Sequence, residues 1–315
     1  MLAHMNRRGF MTGSLAASAG AALALRAGAA ALAAEPGPPP AAVRRMLPTG
    51  RIGKFEVTRL ILGGNLLGRY THARDLRFVL KLIERYNTDE KILQTLALAE
   101  ASGINTVSVH VNPSTRKLLK EHRERRGGKL QWILYATSNI EDMVSYGRDV
   151  QQMAEDGAEA IYVWGVHTDG LLAQGKFGVI AKAVEVIKAN SVLCGVCAHD
   201  LRVVQECEKA KLPVDFYIKT FHHLNYPSAK MDYDSIWCRN PQETAEFMRS
   251  VEKPWIAFKV MAAGAIPPKD AFRYSFENGA DFIFAGMFDF DIAEDVAVTR
   301  EILASQPKRS RPWRS

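Results

Sequence analysis

The sequence predicts one (β/α)8 TIM barrel of the α/β class, on three observations. Eight short apolar runs alternate with eight amphipathic stretches after a Pro-rich segment that ends near Pro48. The runs are rich in β-branched residues, and the connections are too short to hold a second domain. No Gly-rich phosphate loop follows the first run. Leu62-Gly63-Gly64-Asn65 does not complete that pattern, which counts against the competing doubly wound open sheet.

The predicted strands are Leu60–Gly64, Asn105–His110, Leu130–Thr137, Ala160–His167, Leu193–His199, Asp215–His222, Trp255–Ala262 and Asp281–Met287. Helical patterns lie between and after them, over 88–102, 114–126, 141–155, 175–190, 200–211, 241–251, 268–278 and 292–304. The period is clearest in Ile92, Leu93, Leu96 and Ala99, and again in Ile180, Ala183, Val184 and Ile187. Gly103, Gly157 and Gly279 stand just before strands, where glycine ends the preceding helix in a left-handed conformation.

The barrel is assigned residues 49–304, preceded by a Pro-rich linker at 35–48 and followed by a basic C-terminal tail at 305–315. The first 34 residues read as a leader. Asn6-Arg7-Arg8-Gly9-Phe10-Met11 resembles the twin-arginine export motif, and an Ala-rich run follows from Leu15 to Ala34. Ala31 and Ala33 flank Leu32 in a small-x-small pattern, so cleavage is expected after Ala33 or Ala34. The expected partner is the twin-arginine export machinery, and the expected location is the periplasm or another exported compartment. No later stretch has the length and apolarity of a stable membrane span.

Hydrophobic residues make up 47% and charged residues 24% of the 315, a balance that excludes global disorder. Of the net charge of +7, Arg7, Arg8 and Arg26 belong to the leader; without them it is +4. Lys308, Arg309, Arg311 and Arg314 concentrate more of it in the tail. No nucleic-acid recognition motif accompanies this charge, so no nucleic-acid partner is expected. Cys194, Cys197, Cys207 and Cys238 are too few for a disulfide framework. Cys194-x-x-Cys197 falls inside an apolar strand, and buried thiols are expected in preference to a redox or zinc pair.

In such a barrel the site lies at the C-terminal ends of the strands. His110, His167, His199 and His222 each end a predicted strand, with His223 adjacent. Alternation places Thr106, Ser108 and His110 on one face of their strand, and Ile161, Val163 and His167 on one face of theirs. Lys219 and Lys259 lie inside predicted strands, where a lysine needs a partner or an opening into the site. Three chemistries fit. Three or more histidines, His110, His167 and His199 with Asp200, can hold Zn, Mn or Fe and leave a position open. Asp169 and Asp289 are further candidate carboxylates. Alternatively, neutral histidines move protons while lysine holds an oxyanion, without metal. Lastly, a desolvated Lys219 forms a Schiff base, similar in strand position to class I aldolases.

A structural reading stands beside each of these. The histidines can be satisfied polar plugs, the lysines ion-pair partners, and Asp289 a cap for the last helix. Trp164, Trp237 and Phe288 can stack on a sugar ring or pack the mouth. The loop from His222 to Trp237, with Asn225, Tyr226, Tyr233 and Asp234, suits a polyhydroxylated ligand or a structural lid. The segment with Asn65, Arg69, Tyr70, His72 and Arg74 can complete one wall.

Several pieces resemble the aldo/keto reductases. Thr49-Gly50-x-x-Gly53-x-x-x-Val57-x-x-Leu60-x-Leu62-Gly63-Gly64 resembles the lead-in to strand 1. Gly103-Ile104-Asn105 resembles that to strand 2, and Tyr162-Val163-Trp164-Gly165-Val166-His167 resembles the strand 4 segment ending in the active-site histidine. The resemblance implies a barrel, NADPH as cofactor, and a tyrosine proton donor assisted by lysine. Ser108 stands where that family has aspartate, Pro113 where it has the tyrosine, and Ser138 where it has the lysine; only His167 matches. The segment from Lys259 to Ala265 lacks the family's NADPH-binding residues. The expected function is therefore a lyase, isomerase or hydrolase acting on a small polar, carbohydrate-like or carbonyl-containing molecule. Its expected site is His110, His167, His199, Lys219 and Lys259. The alternatives are an NADPH-dependent reductase or a non-catalytic periplasmic binding protein.

Overall fold

The structure, a computed structural model, describes residues 47–231 and 234–315. The leader, the linker up to residue 46 and Tyr233 lie outside the described residues. An antiparallel hairpin of β1 (Thr49–Ile52) and β2 (Phe55–Thr58) leads into the barrel. The barrel strands are β3 (Leu60–Gly63), β4 (Thr106–Val111), β5 (Gln131–Ala136), β6 (Ala160–Val163), β7 (Leu193–Ala198), β8 (Phe216–Thr220), β9 (Trp255–Phe258) and β10 (Phe282–Ala285). Each pairs in parallel with the next, and β10 returns to β3, which closes the sheet.

Eight helices follow the predicted stretches: α2 (Asp89–Ala101), α3 (Pro113–Lys120), α4 (Met143–Glu155), α6 (Phe177–Ala189), α7 (Leu201–Lys209), α8 (Pro241–Ser250), α9 (Pro268–Glu277) and α10 (Ile292–Ala304). Their starts are written locally. Thr88, Asn112, Asp142, Asp200 and Asn240 each accept a backbone N–H of the first turn. Two helices were not predicted. α1 (Phe78–Tyr86) precedes α2, and α5 (Gly165–Ala173) directly follows β6.

Strand alternation divides the core. Ile61, Ile133, Tyr135, Tyr162, Phe216 and Ile218 fill the barrel interior, while Leu62, Leu134, Ile161, Val163, Tyr217 and Trp255 pack outward under the helices. Each such fully buried side chain contributes about 1.5–3 kcal/mol. Ile52 and Val57 of the hairpin join the interior cluster from below. The C-terminal segment folds back under the same barrel. Arg311, 1% exposed, pairs at 2.5 Å with Asp281, which is fully buried. Arg309 stacks on Trp313 and donates to the carbonyls of Phe276 and Ala280. The other end remains open, and the site lies there.

Candidate active site

A cavity of about 1280 Å3 opens at the C-terminal ends of the strands. Of the residues singled out in the sequence, His110, His199 and Lys259 line it. His167, Lys219 and Asp200 do not.

His199 follows β7 on the inward face of Cys197. Its ring is held from behind by Asp169 of α5, whose Oδ2 accepts from Nδ1 at 2.6 Å. The same carboxylate accepts the backbone N–H groups of His199 and Asp200, so its position does not depend on the ring alone. With Nδ1 protonated, Nε2 is the free base. Burial lowers the pKa of His199; Asp169 opposes that shift and the Lys259 charge adds to it. The ring is therefore neutral at neutral pH. Close packing depends on Gly165, where a Cβ would come within 3.0 Å of both Cys197 Sγ and His199 Cε1.

Lys259 comes just after β9 with φ 57. Alternation alone would send it outward with Ala257. The left-handed turn, unfavourable by roughly 1–2 kcal/mol, instead brings it to the mouth. Nζ donates to Ser235 Oγ and to Ile236 O. Burial pushes its pKa down to about 8, so it remains mostly a cation at pH 7. Ser235 Oγ lies 3.2 Å from His72 Nε2, and His72 Nδ1 donates to Asp234 O at 2.7 Å. Lys259, Ser235 and His72 thus form a continuous hydrogen-bond relay. Burial, then the Lys259 charge, pushes His72 down to about 4, leaving it a neutral acceptor.

Aromatic groups form the opposite wall. Tyr135 packs 4.8 Å from Tyr162 and 5.9 Å from Trp164. Burial raises both phenols, so they keep their protons. His110 meets the edge of Tyr135, and its Nε2 lies 3.0 Å from the Asn112 amide. A third wall, from the start of α10, carries Asp291, Glu294 and Asp295. Burial, with the two other carboxylates, pushes Asp295 up to about 7.

Several expectations are corrected. β6 stops at Val163, and Ile161 and Val163 face outward. Tyr162 and Trp164 are the inward pair, and His167 sits in α5, off the cavity wall. Lys219 shares the outward face of Tyr217 and Phe221. Its ammonium is satisfied by the carbonyls of His199 and Thr220 at 2.7 and 2.9 Å. Asp200 caps α7 and pairs with Arg202. Asp289 does not cap the last helix; it accepts from Tyr86 Oη and Lys91 Nζ, tying α1 and α2 to the β10 loop.

His110, His167, His199 and Asp200 accordingly do not converge as a donor set. Among the described residues no three His, Cys, Asp or Glu side chains are placed to hold a metal ion. His222 is buried off the cavity wall, its Nε2 accepting from Cys238 N and its Nδ1 donating to His223 O. Cys194 and Cys197 face opposite sides of β7, and all four cysteines are buried and free.

No protein-family model matches the chain, and no curated protein matches it. Among solved structures, a putative aldo-keto reductase from Pseudomonas aeruginosa is similar at 16% identity with a TM-score of 0.57. The match covers 84% of this chain and 99% of that one. A truncated 3-deoxy-D-arabino-heptulosonate 7-phosphate synthase from Thermotoga maritima is similar at 9% identity with a TM-score of 0.53, over 84% and 95% of the two chains. The property shared with these structures is the closed barrel of eight parallel strands.

Proposed function

We propose that this barrel is an exported enzyme that moves protons on a small carbonyl-containing, carbohydrate-like molecule, as an isomerase or lyase. One observation carries the reading: a neutral histidine oriented by a carboxylate shares a cavity with a partly desolvated lysine cation. His199 Nε2 removes a proton from carbon beside the carbonyl. The Lys259 ammonium stabilises the negative charge that develops on the carbonyl oxygen. Lys259 lends a proton to that oxygen as the enol forms and takes it back when His199 returns its proton to carbon. Ser235, held by His72, keeps the ammonium in place. Tyr135 and Trp164 supply a flat wall for a sugar-like skeleton, and the phenol of Tyr135 supplies a donor.

The reading is tested by incubating the chain in D2O with a panel of aldoses, ketoses and 2-keto acids. Loss of carbon-bound proton signals is followed by NMR. Exchange is expected with at least one class, and His199→Gln should abolish it. Exchange unchanged in that variant, or absent across the panel, would refute the reading.

A second reading, hydride reduction, has one supporting observation: the protonated phenol-bearing ring of Tyr135 lies against His110 on the cavity wall. Quenching of NADPH fluorescence on adding the protein would favour it.

A further inference from the structure

The outer face of α1 plays no part in the cavity. Val79 and Ile83 turn inward and line it. Phe78 and Leu82 stay 60% and 56% exposed. Tyr86 lies four residues beyond Leu82, so the three form one ridge along the helix. Tyr86 carries that ridge onto Phe290, with ring centroids 6.0 Å apart, and Phe290 is 63% exposed. A ridge this apolar on a surface helix marks a contact site.

A second ridge runs beside it. Arg77, Lys81 and Arg85 are also spaced by four and are all exposed. Of the acids nearby, Asp89 is engaged by Arg69 and Lys117 and Glu90 by Arg126, while the exposed Asp75 and Glu84 are outnumbered by the three cations. Among the described residues, no ion pair is formed by the three cations.

We propose that α1 docks the barrel on an anionic lipid surface. Phe78, Leu82 and Phe290 enter the interfacial layer, and Arg77, Lys81 and Arg85 lie over the headgroups. Apolar and basic ridges side by side on one short helix are the pattern of an interfacial helix, which lies on a membrane rather than crossing it. No helix among the described residues is long and apolar enough to cross one. A second copy of the chain is the poorer occupant. A symmetric pairing through this face would bring two sets of the same three cations together, and like charges oppose such an interface.

The test is co-sedimentation of the full chain with vesicles of phosphatidylcholine alone and of phosphatidylcholine mixed with phosphatidylglycerol. Binding is expected to the anionic vesicles and to weaken with salt. Phe78→Ser combined with Leu82→Ser should reduce the bound fraction about tenfold, because both the apolar anchor and the charge are needed. Arg77→Gln, Lys81→Gln and Arg85→Gln together should remove the preference for anionic vesicles. These positions are exposed, so an unchanged melting temperature serves as the folding control. Equal sedimentation with both vesicle types, or serine variants that bind like the parent, would overturn the proposal. So would a ridge whose removal only converts a dimer to a monomer in sedimentation equilibrium.

Discussion

His199 and Lys259 set opposite limbs of a pH profile. The pKa of His199 is held below the ordinary histidine value of about 6.5 by burial and the nearby lysine. It therefore gains a proton, and loses its role as base, only as pH falls below that value. Lys259 is pushed down to about 8, so its charge is lost as pH rises through that region. A bell-shaped kcat/KM is expected, with the acid limb below about 6.5 and the alkaline limb near 8. Lys259→Arg should remove the alkaline limb while lowering the rate, since guanidinium keeps its charge. An alkaline limb unmoved by that change would assign it to another group. Asp169→Asn offers a sharper test. It keeps the size of the side chain but can present N–H where Nδ1 needs an acceptor, so the ring is driven to the wrong tautomer. A fall of about 10²–10⁴ in kcat, with little change in KM, is expected from steady-state rates. None of this pairing was legible in sequence. Asp169 and His199 are thirty residues apart, and only the turn of α5 against β7 brings them together.

Elements were legible in proportion to their periodicity. The eight barrel strands and the eight helices after them follow from alternating apolar runs and local caps, because those signals lie within a few residues of one another. Strand ends do not. The run Ala160–His167 reads as one strand, yet β6 ends at Val163 and the chain enters α5 at Gly165. That shift moved His167 off the wall and left Tyr162 and Trp164 on it. Nor does Lys259 follow the alternation of its strand, because one left-handed residue turns it back. Ser235, which joins Lys259 to His72, lies in a loop with no periodic pattern, and no local sequence signal marks it. The junction of β6 and α5 is itself testable. Gly165→Ala would press a methyl against His199 and Cys197. The crowding should cost about 1–3 kcal/mol in thermal unfolding. Because it displaces the base, kcat/KM should fall by more than tenfold, roughly the sensitivity seen when a reacting group is misplaced by about 1 Å. A variant that is fully active, whatever its stability, would show that the position of His199 is not critical.

At the scale of the whole molecule, the barrel has one open end and one sealed end, and different parts of the sequence account for each. The open end carries the titrating groups. The sealed end is closed by the β1–β2 hairpin and by the C-terminal segment, which by composition alone reads as a basic tail. Composition cannot reveal that Arg311 reaches a fully buried Asp281, since the two are thirty residues apart and the recess between them exists only in the closed barrel. The export reading is tested separately: Arg7→Lys together with Arg8→Lys should retain the uncleaved chain in the cytoplasm, as read by fractionation and the mass of the product. The buried pair makes the stronger physical prediction. Arg311→Met removes one charge and leaves Asp281 with the more distant Arg309, 3.6 Å away, and with the N–H groups of Trp255 and Arg314. Breaking such a pair from one side typically costs about 3–5 kcal/mol. Removing both charges, as in Arg311→Met with Asp281→Asn, should recover part of that loss, because no uncompensated carboxylate then remains buried. Chemical denaturation of the three proteins measures both quantities. If Arg311→Met is as stable as the parent, the segment is not a structural seal. If the double variant is no better than the single one, packing rather than charge holds it in place.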